Sequence, residues 1–442
     1  MLLEFKVKNF KSFREEAIFS MLPTMIKDLE YSILNQTANK QSYKALSSSV
    51  IYGPNAAGKT NIVEAMNDFK RIILLRNILN GYVSNLSPTR DNGYLEFIPN
   101  VKSSDIEPTL FAIKFIFEEK IFEYSISLQL GRFGVNSPSR KILEEKFLVN
   151  EKLIFTREEK NINVYFDNLK QILKSGEDLK NDVALNKTLE NNLIPTDLFL
   201  NNAFKIVYSK SLVESFEKWI SKYLNVICMS DKLEAIPPLQ LLPELEKEGR
   251  MLRNKLLDKV LNKLEIVSKI SYGKNRQNNR YELMSTVNNN VKAVTIPSKN
   301  FESWGTLRLS NLIGLIDGAI NNGHTLVMDE FDASIHPMII MSIINLFHND
   351  EINKKSAQLI FNTHNPIFLD SSLFRRDEIK FVDKEEGSDT SILYSLSDFG
   401  TNGDNPVRKT TDYMKNYFVN RYGAIKEIDL SGIFSESIAN GK

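Results

Sequence analysis

The sequence predicts an α/β fold in which the candidate functional residues lie at the ends of buried strands. Three observations lead to this prediction. A glycine-rich segment, GPNAAGKT at Gly53–Thr60, follows the β-rich run Ser49–Tyr52 and precedes helical spacing of apolar residues over Thr60–Leu79. A short apolar run, Leu326–Met328, ends in two carboxylates. Between these segments, Thr109–Phe155 alternates apolar and polar residues, which is typical of an antiparallel sheet.

The glycine-rich segment fits the phosphate-loop pattern G-x-x-x-x-G-K-[ST]. In this pattern Lys59 reaches the β- and γ-phosphate oxygens, and the hydroxyl of Thr60 binds Mg²⁺. Gly53 and Gly58 let the backbone approach an anion closely, and the following helix presents its positive end. The predicted nucleotide contacts in this segment are Gly53, Pro54, Asn55, Ala56, Ala57, Gly58, Lys59, Thr60 and Asn61.

Asp329 and Glu330 follow an apolar run, as expected of a buried parallel strand that delivers side chains at its carboxyl end. Ligands bind at that edge of α/β sheets. We expect Asp329 to bind Mg²⁺ and Glu330 to orient and deprotonate the attacking water. The alternative is that the acidic pair merely ends a strand, and the upstream phosphate loop favours the catalytic role.

One of the four histidines, His364, is predicted to be catalytic. It follows the apolar run Ala357–Phe361, which looks like another buried strand, so its imidazole would reach a γ-phosphate or the attacking water. Most histidines are structural or lie at the surface. We therefore expect His324, His336 and His348 to be structural or surface residues.

In their order along the chain, these segments resemble the ATPase heads of the ABC, SMC and RecF superfamily. The resemblance includes Ala-Ser-Ile-His-Pro at Ala333–Pro337 and the opening LLEFKVKNFKSF at Leu2–Phe13. The Asn-Phe-Lys/Arg-Ser turn of those heads lies near the nucleotide, which adds Lys11 to the implied contacts. The resemblance implies an ABC-type P-loop ATPase head with a mixed sheet and a flanking antiparallel sheet, which uses ATP and Mg²⁺.

ESWGTLR, Glu302–Arg308, stands where the superfamily has its signature motif. It departs from the transporter form LSGGQ and is similar to the Ser-x-Gly-Thr form of RecF-like and AAA-type defence ATPases. The resemblance implies that Ser303, Gly305 and Thr306 contact ATP bound by a second copy, in a homodimer or higher homo-oligomer. The simpler interpretation is that Ser303 caps the helix that follows.

Two further motifs receive less support. Ala333–His336 would match the D-loop, which crosses the interface between two heads. No Q-loop is convincing, because a single glutamine, Gln129, after the strand-like run Phe122–Leu128 is a weak signal.

The C-terminal part resembles the tail of RloA-like, OLD-related abortive-infection ATPases of bacteria. The matching segments are Arg375–Ile379, Leu393–Phe399 and Asn420–Ile425. This resemblance implies a sensor or regulator of anti-phage defence. The chain ends about 78 residues after His364, which leaves no space for the Toprim nuclease domain of OLD-type relatives. We therefore expect a separate effector protein, with a nuclease as one option, to carry any toxic activity.

Composition excludes some functions and leaves others open. The 56 basic and 55 acidic residues give no general argument for nucleic acid, although a local basic patch stays open. The single cysteine, Cys228, excludes an internal disulfide and fits the cytoplasm. No signal peptide or bilayer-length apolar segment is visible, so no membrane partner is expected. The alternative function is a RecF- or SMC-like DNA repair or DNA-binding ATPase.

The motifs at residues 53 and 329 must share one site, which predicts a discontinuous ATPase head formed by residues 1–160 and 271–400. Residues 161–270 would be a mainly helical insertion, and residues 401–442 a C-terminal tail packed on or near the head.

Two segments near the end of the insertion carry separate predictions. Leu241–Ile270 is predicted as a helix that would be about 45 Å long. The polar run Tyr272–Arg280 is predicted as a solvated hairpin loop. Phosphate contacts of nucleic acid through Lys274, Arg276 and Arg280 are the alternative.

Overall fold

The computed structural model describes residues 1–79, 97–104, 107–131, 140–173, 183–228, 246–248, 251–274, 281–288, 292–385, 387–400, 407–408, 410–426, 430–431 and 435. The strands within these ranges are β1 Leu2–Lys8, β2 Ala17–Ser20, β3 Ile33–Ala38, β4 Gln41–Leu46, β5 Ser48–Tyr52, β6 Thr109–Phe117, β7 Lys120–Gln129, β8 Lys141–Val149, β9 Lys152–Glu158, β10 Asn161–Val164, β11 Leu224–Ile227, β12 Glu246–Glu248, β13 Met251–Arg253, β14 Lys269–Lys274, β15 Tyr281–Asn288, β16 Ala293–Pro297, β17 Thr325–Met328, β18 Gln358–Asn362, β19 Ile379–Lys384 and β20 Ser391–Ser395.

The α-helices in the same ranges are α1 Lys59–Leu75, α2 Phe166–Ile172, α3 Val183–Asn192, α4 Lys205–Val207, α5 Lys210–Lys218, α6 Lys255–Lys263, α7 Trp304–Asn322, α8 Pro337–His348 and α9 Tyr413–Phe418. Two π-helical turns, Leu200–Phe204 and Trp219–Tyr223, adjoin α4 and α5. None of the described helices combines the length and the apolarity that crossing a membrane requires.

A six-stranded sheet carries the predicted motifs at the ends of its strands. Its order is β11-β17-β18-β5-β19-β20, and every neighbouring pair is parallel except β19 with β20. Its central strands β5, β17 and β18 are buried on both faces: on β5, Ile51 packs in the core that contains α1, whereas Val50 packs in the core that contains α7 and α8. The short apolar runs in the sequence follow from this two-sided burial.

A seven-stranded antiparallel sheet, in the order β10-β9-β8-β7-β6-β1-β2, shares the core that contains α1. Its apolar residues alternate with polar ones, and β6 to β9 account for the alternation over Thr109–Phe155. Aromatic side chains dominate the packing, as in the stacked rings of Phe115 and Trp219, whose centroids are 3.9 Å apart. The predicted α/β class, with a mixed sheet and a flanking antiparallel sheet, is confirmed.

The long helix predicted over Leu241–Ile270 is wrong. The described part of this range contains β12, β13, the nine-residue helix α6 and the start of β14. Asn254 begins α6, because its side chain accepts hydrogen bonds from the N–H groups of Leu256 and Leu257. Glu265, in the left-handed region at φ 58°, follows the end of α6. The leucines of this range therefore belong to separate short elements, with Leu252 in β13 and Leu256 in α6.

Instead of a long helical arm, the chain forms a five-stranded antiparallel sheet in the order β12-β13-β14-β15-β16. Its inner face packs on α6 and on the first half of α7, through residues that include Tyr272, Leu283, Leu257 and Leu309. Lys274 ends β14, whereas Arg276 and Arg280, offered as alternative phosphate contacts, lie outside the described residues.

Candidate nucleotide-binding site

The phosphate loop joins β5 to α1, as the sequence predicts, and two of its positions accept only glycine. Gly58 has φ 110°, and a Cβ there would lie 2.4 Å from Ser12 Oγ. A Cβ on Gly53 would lie 2.1 Å from the carbonyl oxygen of Val382. The loop therefore packs closely against the N-terminal turn and β19. Other residues of the loop line the cleft.

Lys59 is buried at the base of the loop. Its Nζ donates hydrogen bonds to the carbonyl oxygens of Gly53, at 2.8 Å, and Pro54, at 3.0 Å. Burial lowers the pKa of Lys59 to about 8, although the negative charges of Asp329 and Glu330 oppose this shift. An anionic neighbour stabilises the charged form of such a poorly solvated ammonium, and a bound phosphate would be such a neighbour.

Thr60 and Asp329 form a pair of hard oxygen donors that fits Mg²⁺. The hydroxyl of Thr60 donates to Asp329 Oδ1 at 3.0 Å, and Asn362 Nδ2 donates to the same oxygen. Within the part of the chain that the structure describes, no group of three or more His, Cys, Asp or Glu side chains could hold a metal ion. Mg²⁺ usually binds through few protein ligands, with phosphates and water completing its shell, so these residues fit the ion.

Glu330 and His364 lie at the mouth of the same cleft, where both are exposed. The backbone N–H of Glu330 donates to Asn362 Oδ1 at 2.6 Å, and its carbonyl accepts from Arg308. Partial desolvation and the charge of Lys59 lower the pKa of His364, despite opposing carboxylates that include Glu330. The imidazole is therefore neutral near pH 7 and has both a donor and an acceptor nitrogen.

The cleft has a volume of about 290 Å³ and lies at the carboxyl ends of β5, β17 and β18. The residues that line it are Asn55, Ala56, Gly58, Lys59, Thr60, Asn61, Glu330, Asn362 and His364. The structure thus brings the predicted phosphate loop, acidic pair and histidine together at one edge of the parallel sheet.

Lys11 lies beside this cleft and is engaged elsewhere. Its Nζ forms an ion pair with Glu64 Oε2 at 2.5 Å. The neighbouring Ser12 accepts a hydrogen bond from Asn61 at 2.6 Å, which ties the N-terminal turn to the phosphate loop. The predicted contact between Lys11 and nucleotide stays a prediction.

The signature residues lie at the start of α7 and do not line the cleft of their own chain. Ser303 caps the helix, because its Oγ accepts from the N–H of Thr306 at 3.2 Å. Trp304 is 63% exposed. A Cβ on Gly305 would lie 2.7 Å from the carbonyl oxygen of Ser334, so this segment contacts the predicted D-loop of the same chain.

The remaining histidines have structural contacts, as expected. His336 caps α8, and His324 shares a hydrogen bond of 3.0 Å with Asn225. His348 is buried, with its Nε2 2.8 Å from Ser48 Oγ.

Three features of the site were missed by sequence reasoning. Asn362 bonds both Asp329 and the backbone of Glu330, and its place at the end of β18 was the available signal. Arg308 contacts the acidic pair from α7, which no local pattern indicates. β11 pairs with β17 and ends beside Asp329, so Cys228 directly follows a strand at this edge. Burial raises the pKa of the Cys228 thiol to about 12, which keeps it protonated.

The fold and the position of the cleft place this protein in the class of P-loop ATPase folds. The chain belongs to the family described as "AAA domain, putative AbiEii toxin, Type IV TA system", whose profile matches residues 48–370. Among solved structures, one similar chain is an SMC head bound to the C-winged helix domain of ScpA. The two share 12% identity and a TM-score of 0.38, over 89% of this chain and 97% of the other. No curated protein matches the sequence significantly.

Proposed function

We propose that this protein binds ATP with Mg²⁺ and hydrolyses it. The convergence of Lys59, Thr60, Asp329, Glu330 and His364 on one cleft is the observation that carries the proposal. Phosphoryl transfer needs mainly positioning and charge stabilisation, and a buried lysine beside hard oxygen donors supplies both. The metal, when bound, neutralises charge on the phosphates.

Each side chain of the cleft then has a role. The ammonium of Lys59 leaves the loop carbonyls for the β- and γ-phosphate oxygens. The carboxylate of Glu330, exposed at the mouth, accepts a proton from the attacking water. The neutral imidazole of His364 donates a hydrogen bond to the γ-phosphate from one ring nitrogen. Thr60 and Asp329 would hold the metal.

We further propose that two copies complete each site. The support is the position of Ser303, Gly305 and Thr306, which lie outside the cleft of their own chain on a helix start that includes the exposed Trp304. A second copy that presents this helix start to the bound γ-phosphate would supply hydrogen-bond donors there. ATP would then hold a homodimer, or a larger homo-oligomer, together.

We also propose a role in bacterial anti-phage defence, as the sensor or regulator subunit of an abortive-infection system of RloA- or OLD-related type. The family description, which names the AbiEii toxin and a type IV TA system, supports this proposal. The resemblance of Arg375–Ile379 and Asn420–Ile425 to abortive-infection ATPases points to the same role. A separate effector protein would carry the toxic activity.

ATP turnover by the purified protein tests the enzymatic part. We expect Mg²⁺-dependent release of phosphate, and turnover that does not exceed the buffer rate would contradict the proposal. The defence part is tested by infecting bacteria that express the protein with its genomic neighbours, where Glu330→Gln should abolish protection. ATP-dependent, salt-sensitive binding to duplex DNA ends, without any protection from phage, would instead support a RecF- or SMC-like role.

A further inference from the structure

We propose that Arg308 couples the signature segment, Ser303–Thr306, to the catalytic carboxylate of the same chain, so that the state of one composite site controls hydrolysis in the other. This coupling rests on the proposed ATPase function and concerns its regulation. It assigns to Arg308 the role of a positioning residue, since Arg308 does not line the cleft.

Arg308 lies on α7, two residues beyond the signature segment, and is only 9% exposed. Its Nη2 donates a hydrogen bond to the backbone carbonyl of Glu330. A buried guanidinium requires partners for its charge and its donors. The contact therefore fixes the first turns of α7 to the end of the strand that delivers the acidic pair.

The peptide that Arg308 holds determines the direction of the Glu330 side chain. Glu330 has φ 47°, in the left-handed region that disfavours residues with a Cβ. Its N–H donates to Asn362 Oδ1 at 2.6 Å, and its carbonyl also accepts from the N–H of Ala333 at 3.2 Å. A strained conformation persists only while its surroundings restrain it. Loss of the Arg308 contact would let this peptide relax and turn the carboxylate away from the water.

A second contact joins the same two segments. A Cβ on Gly305 would lie 2.7 Å from the carbonyl oxygen of Ser334, so two backbones approach closely here. Ser334 is itself in the left-handed region, at φ 61°, four residues after Glu330. The start of α7 therefore cannot shift without disturbing the turn that follows Glu330. A nucleotide that draws the signature segment toward the other copy would act on Glu330 through both contacts.

Arg308 also interacts electrostatically with Asp332, which in turn interacts with His364. Burial raises the pKa of Asp332, whereas a hydrogen bond with Thr363 and the charge of Arg308 oppose this shift. Arg308 thus favours the ionised form of a carboxyl group whose charge acts on His364.

Two substitutions at Arg308 and a matched control separate coupling from packing. Arg308→Met removes the guanidinium and keeps an unbranched stem, whereas Arg308→Lys keeps a charge without the planar fork. The control is Arg376→Met. Arg376 is also buried, at 7% exposed, and its Nη1 donates to the carbonyl of Val407. It precedes β19, at the amino-terminal edge of the sheet and away from the cleft.

We would measure kcat, KM and the Hill coefficient for MgATP, association of copies by sedimentation, and the unfolding temperature. For Arg308→Met we expect kcat to fall by about 10- to 100-fold. KM should stay within about twofold and ATP-dependent association should persist, because the cleft and the signature residues are unchanged. The Hill coefficient should fall from above 1 to about 1. Arg308→Lys should recover part of kcat, and Arg376→Met should keep the wild-type kcat.

Three results would contradict the coupling. One is a wild-type kcat and Hill coefficient in Arg308→Met. Another is an equal loss of kcat in Arg308→Met and Arg376→Met that follows their unfolding temperatures, which would indicate packing alone. The third is wild-type protein without ATP turnover, which overturns the proposed function and the coupling together, whereas the first two leave the proposed function intact.

Discussion

The phosphate-loop cleft and the start of α7 differ in how far one chain completes them. Lys59 and Thr60 line one concave surface, and both have hydrogen-bond partners inside the chain, with Asp329 as the partner of Thr60. At the start of α7, Ser303 and Thr306 bond to each other, and Trp304 is exposed beside them. One chain therefore assembles the proposed nucleotide cleft, while the predicted signature residues do not line that cleft. The comparison predicts that changes in the two regions affect different steps.

The largest expected effect is on the chemical step in the cleft. Glu330→Gln removes the proton acceptor and keeps the shape of the side chain, so we expect kcat to fall by about 10²- to 10⁴-fold. ATP affinity should be retained, because Glu330 is exposed at the mouth and does not hold the loop. Phosphate release and nucleotide titration measure the two quantities. Glu351→Gln, at an exposed position beyond α8, is the control, and unchanged turnover in Glu330→Gln would remove the assignment of the general base.

The next effect is on binding in the same region. Lys59→Ala should weaken ATP binding by roughly 100-fold, as expected when charge-assisted hydrogen bonds worth about 3 kcal/mol are lost. Lys70→Ala is a matched control, because Lys70 also lies on α1 and burial lowers its pKa to about 8, but its Nζ bonds the carbonyl of Leu224. Calorimetry should find near wild-type affinity in the control. Retained affinity in Lys59→Ala would contradict the phosphate-loop assignment.

A smaller effect is expected at the start of α7, where capping and contact with a second copy must be separated. Aspartate is as good a helix cap as serine, so Ser303→Asp should preserve the unfolding temperature. Its negative charge would repel a γ-phosphate held by another copy, and turnover should fall by at least about 10-fold. Turnover measured against protein concentration checks this. Wild-type turnover in Ser303→Asp would mean that Ser303 is only a cap.

The same two regions differ in how far the sequence predicts them. β5, β17 and β18 were predictable because each is a short apolar run buried on both faces, with polar residues at its carboxyl end. The five-stranded sheet that supports α7 was not predictable. Asn254 begins a separate helix inside Leu241–Ile270, the range predicted as one helix, and a three-residue strand such as β13 has no periodicity of its own.

Contacts between segments that are distant along the chain could not be predicted from the sequence either. Arg308 meets Glu330 only because α7 packs along the sheet, and Asn362 meets Asp329 because β17 and β18 are neighbours. Neither pairing leaves a local signal. The residue types at strand ends indicated the chemistry of the site, whereas the restraints on those residues required the tertiary structure.

The smallest expected effect is a proton taken up when ATP binds, and it concerns the cleft alone. The free protein holds the pKa of Lys59 at about 8, below the usual 10.5, so near pH 8 the amine is about half protonated. A bound phosphate favours the charged ammonium and raises this pKa again, so binding at pH 8 should take up roughly half a proton. Calorimetry in two buffers with different ionisation enthalpies measures this uptake, which should vanish near pH 6, where Lys59 is already charged. Lys70→Ala should keep the uptake, since Lys70 does not line the cleft. Binding at pH 8 without proton uptake would show that Lys59 already carries its full charge before the nucleotide arrives, and that the cleft is less desolvated than its buried lysine indicates.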